Sequence, residues 1–167
     1  LGFGSGLNCA LYPATVSEVL AVEPSEVAWH LSLDRRNAAD KPVSRVGLDG
    51  QQIGLDDASV DSVLITFTLC TIPDATSALD EVNRVLVPGG TVHIAEHGQS
   101  PDPAVAAWQR RIDPLQQRLF GGCHLTRDPR ALLAEAGFGE ADIESAYLPG
   151  PRIGKPWTYG YSGVARR

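Results

Sequence analysis

Methionine is absent from all 167 residues, and the chain opens on Leu1. Such a chain reads as N-terminally truncated, and its length fits one domain over residues 1–167 with a sizeable core. Cysteine is scarce as well. Cys9, Cys70 and Cys123 are odd in number, lie far apart and form no C-x-x-C pair. Neither a disulfide framework nor a metal site is therefore expected, and a reducing cytoplasm is the natural compartment. Long apolar runs are missing, since none approaches the roughly 18 residues that a membrane-spanning helix needs. Positive charge is in deficit, with 14 Lys and Arg against 20 Asp and Glu and a net charge of −6. That balance argues against a nucleic-acid partner. Arg110-Arg111 and Arg166-Arg167 read as solvated basic spots. Internal repeats and low-complexity segments are lacking. So are the Gly-Lys-Ser/Thr of a P-loop and the G-x-S-x-G elbow of a serine hydrolase.

What remains is an ordinary globular composition, 43% hydrophobic and 20% charged, in which strand-like and helix-like stretches alternate. Residues 18–23 and 44–48 read as short strands, and residues 62–67 as a β-branched strand apolar on both faces. A helix is predicted from Ser25, its N-cap, to about Asp40, and another from Asp74. In the second, Ala78, Leu79, Val82, Val85 and Leu86 recur at helical spacing until Pro88-Gly89-Gly90 stops it. Residues 91–95 form a further strand. The helix over residues 104–120 is expected to gather Val105, Trp108, Ile112 and Leu115 on one side, with a kink at Pro114. A short helix over 130–136 and two strands, 143–148 and 159–165, close the chain. With no helix between them, those two strands should pair antiparallel. The fold class is α/β, with a doubly wound, mostly parallel sheet and an antiparallel C-terminal strand.

The chemistry begins with the turn Leu1-Gly2-Phe3-Gly4-Ser5-Gly6-Leu7-Asn8. A turn of this kind follows a buried strand, which here would precede Leu1, and opens a helix whose N-terminus offers free N–H groups. Its spacing is G-x-G-x-G, and the third glycine of the dinucleotide fingerprint would fall one place later, on Leu7. Glu23 ends a strand 17 residues past Gly6, where an acid can accept two hydrogen bonds from ribose hydroxyls. Asp49-Gly50-Gln51 would lie beside an adenine, and Thr66, Phe67 and Thr68 would floor the crevice. His97 ends a strand in the row where α/β folds bind ligands. His124 sits in a loop with Cys123 and Arg127, and a role as general base or substrate contact suits it. The spacing of these histidines and cysteines gives no metal-ligand pattern.

At this point the residues resemble the class I S-adenosylmethionine-dependent methyltransferases. The likeness rests on the glycine turn, Glu23-Pro24, Asp49-Gly50-Gln51, the D-x-S-x-D step from Asp57 to Asp61, and Arg84-Val85-Leu86-Val87-Pro88-Gly89-Gly90. It implies a Rossmann-like fold and S-adenosylmethionine as cofactor, leaving S-adenosylhomocysteine as product. Gly2, Gly4 and Gly6 would meet its methionine part, Glu23 its ribose, Asp49, Gly50 and Gln51 its adenine, and Thr66 its amino-acid end. Trp108-Gln109, Asp113-Pro114, the Gly122-Cys123-His124-Leu125-Thr126-Arg127 loop and Tyr159-Gly160-Tyr161 are similar to the branch containing alkyl-thiol S-methyltransferases. That branch shares Glu96-His97. The acceptor implied is small and mostly apolar, with His124 and His97 as catalytic candidates and Trp108, Cys123 and Arg127 as substrate contacts. Transfer to carbon or nitrogen of a quinone-like or lipid acceptor stays open, as does an inactive cofactor-binding protein. Members of the thiol branch carry an N-terminal membrane anchor, so peripheral membrane association through residues before Leu1 stays open too. His124 stands where relatives carry Asn. Oligomeric state is not legible.

Overall fold

The computed structural model describes residues 1–167, the side chain of Glu140 excepted. After the glycine turn comes a single 3-10 turn, Cys9–Leu11, and not the expected helix. Pro13 explains the stop. A residue ahead of proline is pushed out of helical conformation, and Tyr12 is extended at φ −66°, ψ 128°. Strand β1 (Val19–Val22) leads into α1 (Glu26–Leu31) and α2 (Leu33–Asn37). Ser25 caps α1 by accepting from Ala28 N at 3.1 Å. The predicted long helix is thus broken in two at Ser32, whose hydroxyl bonds Trp29 O at 2.6 Å. Next come β2 (Val43–Gly47), β3 (Val60–Thr66), α3 (Ala75–Val85), β4 (Leu86–His97), α4 (Pro103–Leu119), α5 (Pro129–Glu135) and β5 (Gly139–Tyr147). A four-residue helix α6 (Lys155–Thr158), not anticipated from the sequence, and β6 (Tyr159–Arg166) end the chain.

β1 and β2 pair in parallel as one sheet. β3, β4, β6 and β5 form a second in that order, where β3 and β4 are parallel and β6 runs against both its neighbours. The edge strands β1 and β3 of the two sheets flank a slot. Leu1 N donates to Leu64 O of β3 and Gly2 N to Val22 O of β1, each at 2.9 Å, so the first residues thread between them. Beyond Leu1 a cavity of about 810 Å³ continues between β1 and residues 60–64. The core lies under the larger sheet, where Ile65, Leu79, Val82, Leu86, Val92, Leu133 and Ala165 are fully buried. Arg84 of α3 fastens the 53–57 loop by donating to Ile53 O, Leu55 O and Asp57 Oδ1 at 2.7–2.8 Å.

The expected apolar side of α4 is only partly buried: Val105 lies in the core and Ile112 is half-buried. Trp108, Leu115 and Leu119 are exposed at 43%, 59% and 66%, whereas Gln109 is 0% exposed and Asp113 and Gln116 are also buried. The helix runs through Pro114. Hydrogen bonds decide its facing. Gln109 accepts from Ser100 N and donates to Gly98 O and Pro156 O, all at 2.9 Å, and Asp113 Oδ1 accepts from Leu125 N at 2.5 Å. Turning Trp108 and Leu115 inward would strand these backbone groups without partners.

Candidate functional site

The glycine turn, the ends of β1, β3 and β4, and the loop after α4 meet at the carboxyl edge of the sheets. Gly2, Gly4 and Gly6 have φ of +67°, +58° and +77°, a conformation that disfavours any side chain. A Cβ at Gly2 would collide with Thr68 Oγ1, while one at Gly4 would find no atom nearer than Gly2 O at 4.0 Å. The turn is therefore packed on one side and open on the other. Glu23 is buried beside it. Its Oε2 accepts from Gly4 N at 2.6 Å and its Oε1 from Ser25 N at 2.8 Å. A carboxylate oxygen accepts more than one hydrogen bond, so both keep capacity for a ligand.

Asp49 Oδ1 accepts from Gln51 N at 2.9 Å, and Gln51 Oε1 accepts from Asp74 N at 2.7 Å. The 49–51 turn is thereby tied to the start of α3, and a Cβ at Gly50 would fall 2.7 Å from Leu1 Cδ1. Thr66 Oγ1 accepts from Asn8 Nδ2 at 3.0 Å, which fixes the glycine turn to the end of β3. The chain then passes through Phe67, 59% exposed and held at φ +48°. Such a conformation in an aromatic residue is strained, and strain of this kind collects at functional sites.

His97 stacks on Phe67 with ring centroids 6.3 Å apart, and its Nε2 lies 3.1 Å from Cys123 Sγ. Cys70 completes the group: the ligand atoms of Cys70, His97 and Cys123 all lie within 4.8 Å of one another. The Cys70 hydrogen bond, reinforced by one from His97, holds the Cys123 thiol well below the usual thiol range. The same hydrogen bond, together with burial, drives Cys70 up. Burial opposes charge on His97, yet Cys123 and Glu96 outweigh it and the net shift is upward. Burial also raises Glu96, although its Oε1 accepts from Thr68 N and Leu69 N at 2.6 and 2.9 Å. Glu96 Oε2 and His97 Nδ1 are buried with no partner among the described residues.

His124 belongs to a second group. Its Nδ1 lies 3.0 Å from Gln117 Nε2, which also donates to Asp113 Oδ2 at 2.7 Å. Because the carboxylate only accepts, it fixes the amide nitrogen of Gln117 on that side. Asp113 Oδ2 itself lies 3.4 Å from His124 Nδ1, so Gln117 and Asp113 together orient the ring. Arg127 points its guanidinium at carbonyls, donating to Leu69 O, to Ile72 O at 2.6 Å and to Pro73 O at 3.1 Å. It braces the loop that carries Cys70. Trp108 stands on the exposed face of α4, away from the hydrogen-bonded groups of that helix.

The sequence points to His97, Cys123, His124 and Arg127 as site residues and assigns no role to Asn8, Cys70 or Gln117, while Asp113 enters there only through the branch resemblance. Asp113 carried a faint signal, an acid on the face opposite an apolar stripe. Cys70 carried none, because only folding brings it to His97.

The geometry agrees with what the chain resembles. Residues 1–94 match the family described as methyltransferase domain. A thiol S-methyltransferase (TMT1B) of Rattus norvegicus is 31% identical over 150 residues, covering 86% of this chain and 60% of that protein. A thiol S-methyltransferase (TMT1A) of Homo sapiens is 30% identical over 176 residues, covering 97% of this chain and 68% of that protein. The chain thus spans only about three-fifths to two-thirds of these relatives. A SAM-dependent methyltransferase structure from Methanosarcina mazei superposes with a TM-score of 0.72 at 21% identity, over 99% of this chain and 89% of that one. The chain belongs to the methyltransferase-domain family and has its Rossmann-like fold. The cofactor of such enzymes is S-adenosylmethionine, and the open face at Gly4, which a side chain would fill, suits a ligand brought against the backbone.

Proposed function

We propose that the protein transfers the methyl group of S-adenosylmethionine to a small, mostly apolar acceptor bearing a thiol. The observation that carries this reading is the His97–Cys123 pair, stacked against exposed Phe67 beside the open glycine cradle. The thiol relatives favour sulfur over the other nucleophiles. Gly2, Gly4 and Gly6 let the backbone approach the cofactor, Glu23 receives its ribose hydroxyls, the 49–51 turn flanks its adenine and Thr66 borders its amino-acid end. S-adenosylmethionine supplies an electrophilic methyl on a sulfonium, so the protein's task is alignment of the reacting atoms, at roughly 3–3.5 Å. A thiol is only a few per cent ionised near neutral pH. The Cys70–His97–Cys123 cluster provides the polar pole at which such a proton can be lost. The 121–127 loop walls the acceptor, with Arg127 bracing that wall and His124 set in it.

Calorimetry with S-adenosylmethionine and S-adenosylhomocysteine, followed by a screen of alkyl and aryl thiols against quinone-like and phospholipid acceptors, tests this. Binding of both nucleosides and turnover confined to thiols is the expected result. Turnover of quinone-like or lipid acceptors without thiols would replace the acceptor class, and preference for a nicotinamide cofactor would overturn the activity.

A further inference from the structure

We propose that Cys70 Sγ, His97 Nε2 and Cys123 Sγ form a three-ligand site for a soft divalent cation of the zinc kind. Its fourth position is open to a sulfur ligand. That last assignment rests on the thiol reading above; the cation site does not.

The distances suit it. Tetrahedral ligands at zinc–sulfur and zinc–nitrogen lengths of about 2.3 and 2.0–2.1 Å lie roughly 3.5–3.8 Å apart. The three atoms here are separated by between 3.1 Å, for His97 and Cys123, and at most 4.8 Å. Shifts of about 0.4 Å for the closest pair and at most about 1 Å for the widest, within reach of side-chain rotation, close the site. The ligands also come from segments that are clamped together. Cys70 follows β3, His97 ends β4, and His124 N donates to Cys70 O at 2.8 Å, locking the Cys123 loop over the Cys70 turn. Three anchored donors on three segments make a preformed pocket.

Charge and donor type agree. Two thiolates and a neutral imidazole are a soft set that selects zinc-like cations, and with a dication the group is neutral overall. Cys70 and Cys123 are 4% and 8% exposed, so a neutral group is what this depth tolerates. Glu96 Oε2, on the residue before His97, is buried with no partner among the described residues, and a cation at the cluster would offset its charge. Three protein ligands leave a fourth position free, as in catalytic zinc sites. A thiol entering there gives its proton to solvent and binds as thiolate, the form that attacks a methyl group. The sequence hides this site because its ligands are 27 and 26 positions apart.

The test uses the full chain purified without chelator, with metal content read by mass spectrometry and Co²⁺ exchanged in as a spectroscopic probe. One equivalent of Zn²⁺ per chain is expected, with tetrahedral Co²⁺ bands and a thiolate charge-transfer band. Cys70→Ser and Cys123→Ser should each weaken Co²⁺ binding by at least about tenfold, whereas Cys9→Ser should not. In the unmutated chain Zn²⁺ should shield Cys70 and Cys123, but not Cys9, from alkylation, and chelator should reverse this whether or not the variants fold. An alkyl thiol added without S-adenosylmethionine should shift the Co²⁺ spectrum. Substoichiometric metal at excess Zn²⁺, a Co²⁺ spectrum unchanged by Cys123→Ser, or a Cys70–Cys123 disulfide in the protein as isolated would overturn the site. Full thiol turnover by metal-free protein overturns the fourth-position role while leaving the thiol reading intact. A stoichiometric site in protein that methylates no thiol does the opposite.

Discussion

Glu23 acts on both the turn and its ligand. By accepting from Gly4 N and Ser25 N it holds the glycine turn in shape, and its spare lone pairs face the ribose in the proposed complex. Glu23→Ala should therefore weaken S-adenosylmethionine and S-adenosylhomocysteine alike, by about 1.5–3 kcal/mol, the range for hydrogen bonds to a charged group. Calorimetry showing unchanged affinity would take the carboxylate out of the site. His124 behaves differently, because its partners Gln117 and Asp113 lie on α4 and not in the glycine turn. His124→Ala should lower turnover and leave cofactor affinity nearly unchanged. If turnover and melting temperature fall in proportion, His124 only ties its loop together. Single residues were legible wherever their position in the α/β order carried meaning, as with Glu23 at the end of β1 and His97 at the end of β4. Partnerships between distant residues, such as Asn8 with Thr66 or Cys70 with Cys123, leave no trace in spacing.

At the scale of elements, the sequence located every strand and the longer helices because their apolar periods and caps agree. Asp74 is an example. It caps α3 through Ser77 N at 3.0 Å, and that bond holds its pKa below the ordinary carboxylate value. A depressed folded pKa adds stability above the unfolded value that is lost as pH falls through the folded one. The melting-temperature gap between the protein and Asp74→Ala should hold from neutral pH down to about 4 and narrow below it. α4 shows where periodicity misleads. Its apolar stripe is buried at Val105 but not at Trp108 or Leu115, because three backbone groups beside the helix take Gln109 as their partner. Gln109→Leu, favourable on any hydropathy scale, should cost about 2–4 kcal/mol by orphaning those groups. Leu115→Gln should cost almost nothing, and urea unfolding of both variants would decide. The helix expected after the glycine turn failed for a similarly local reason, the proline at position 13.

For the whole molecule, the slot between β1 and β3 matters most. Each strand has one paired edge and one edge facing a cavity of about 810 Å³ among the described residues. Leu1, Gly2 and Asn8 bond across this slot to Leu64, Val22 and Thr66, so the ligand cradle is also the seam that joins the halves. Recognition and cohesion are then a single event. As denaturant rises, the protein should release its nucleoside while its helices are still intact, and a bound nucleoside would act as a rivet through the joint.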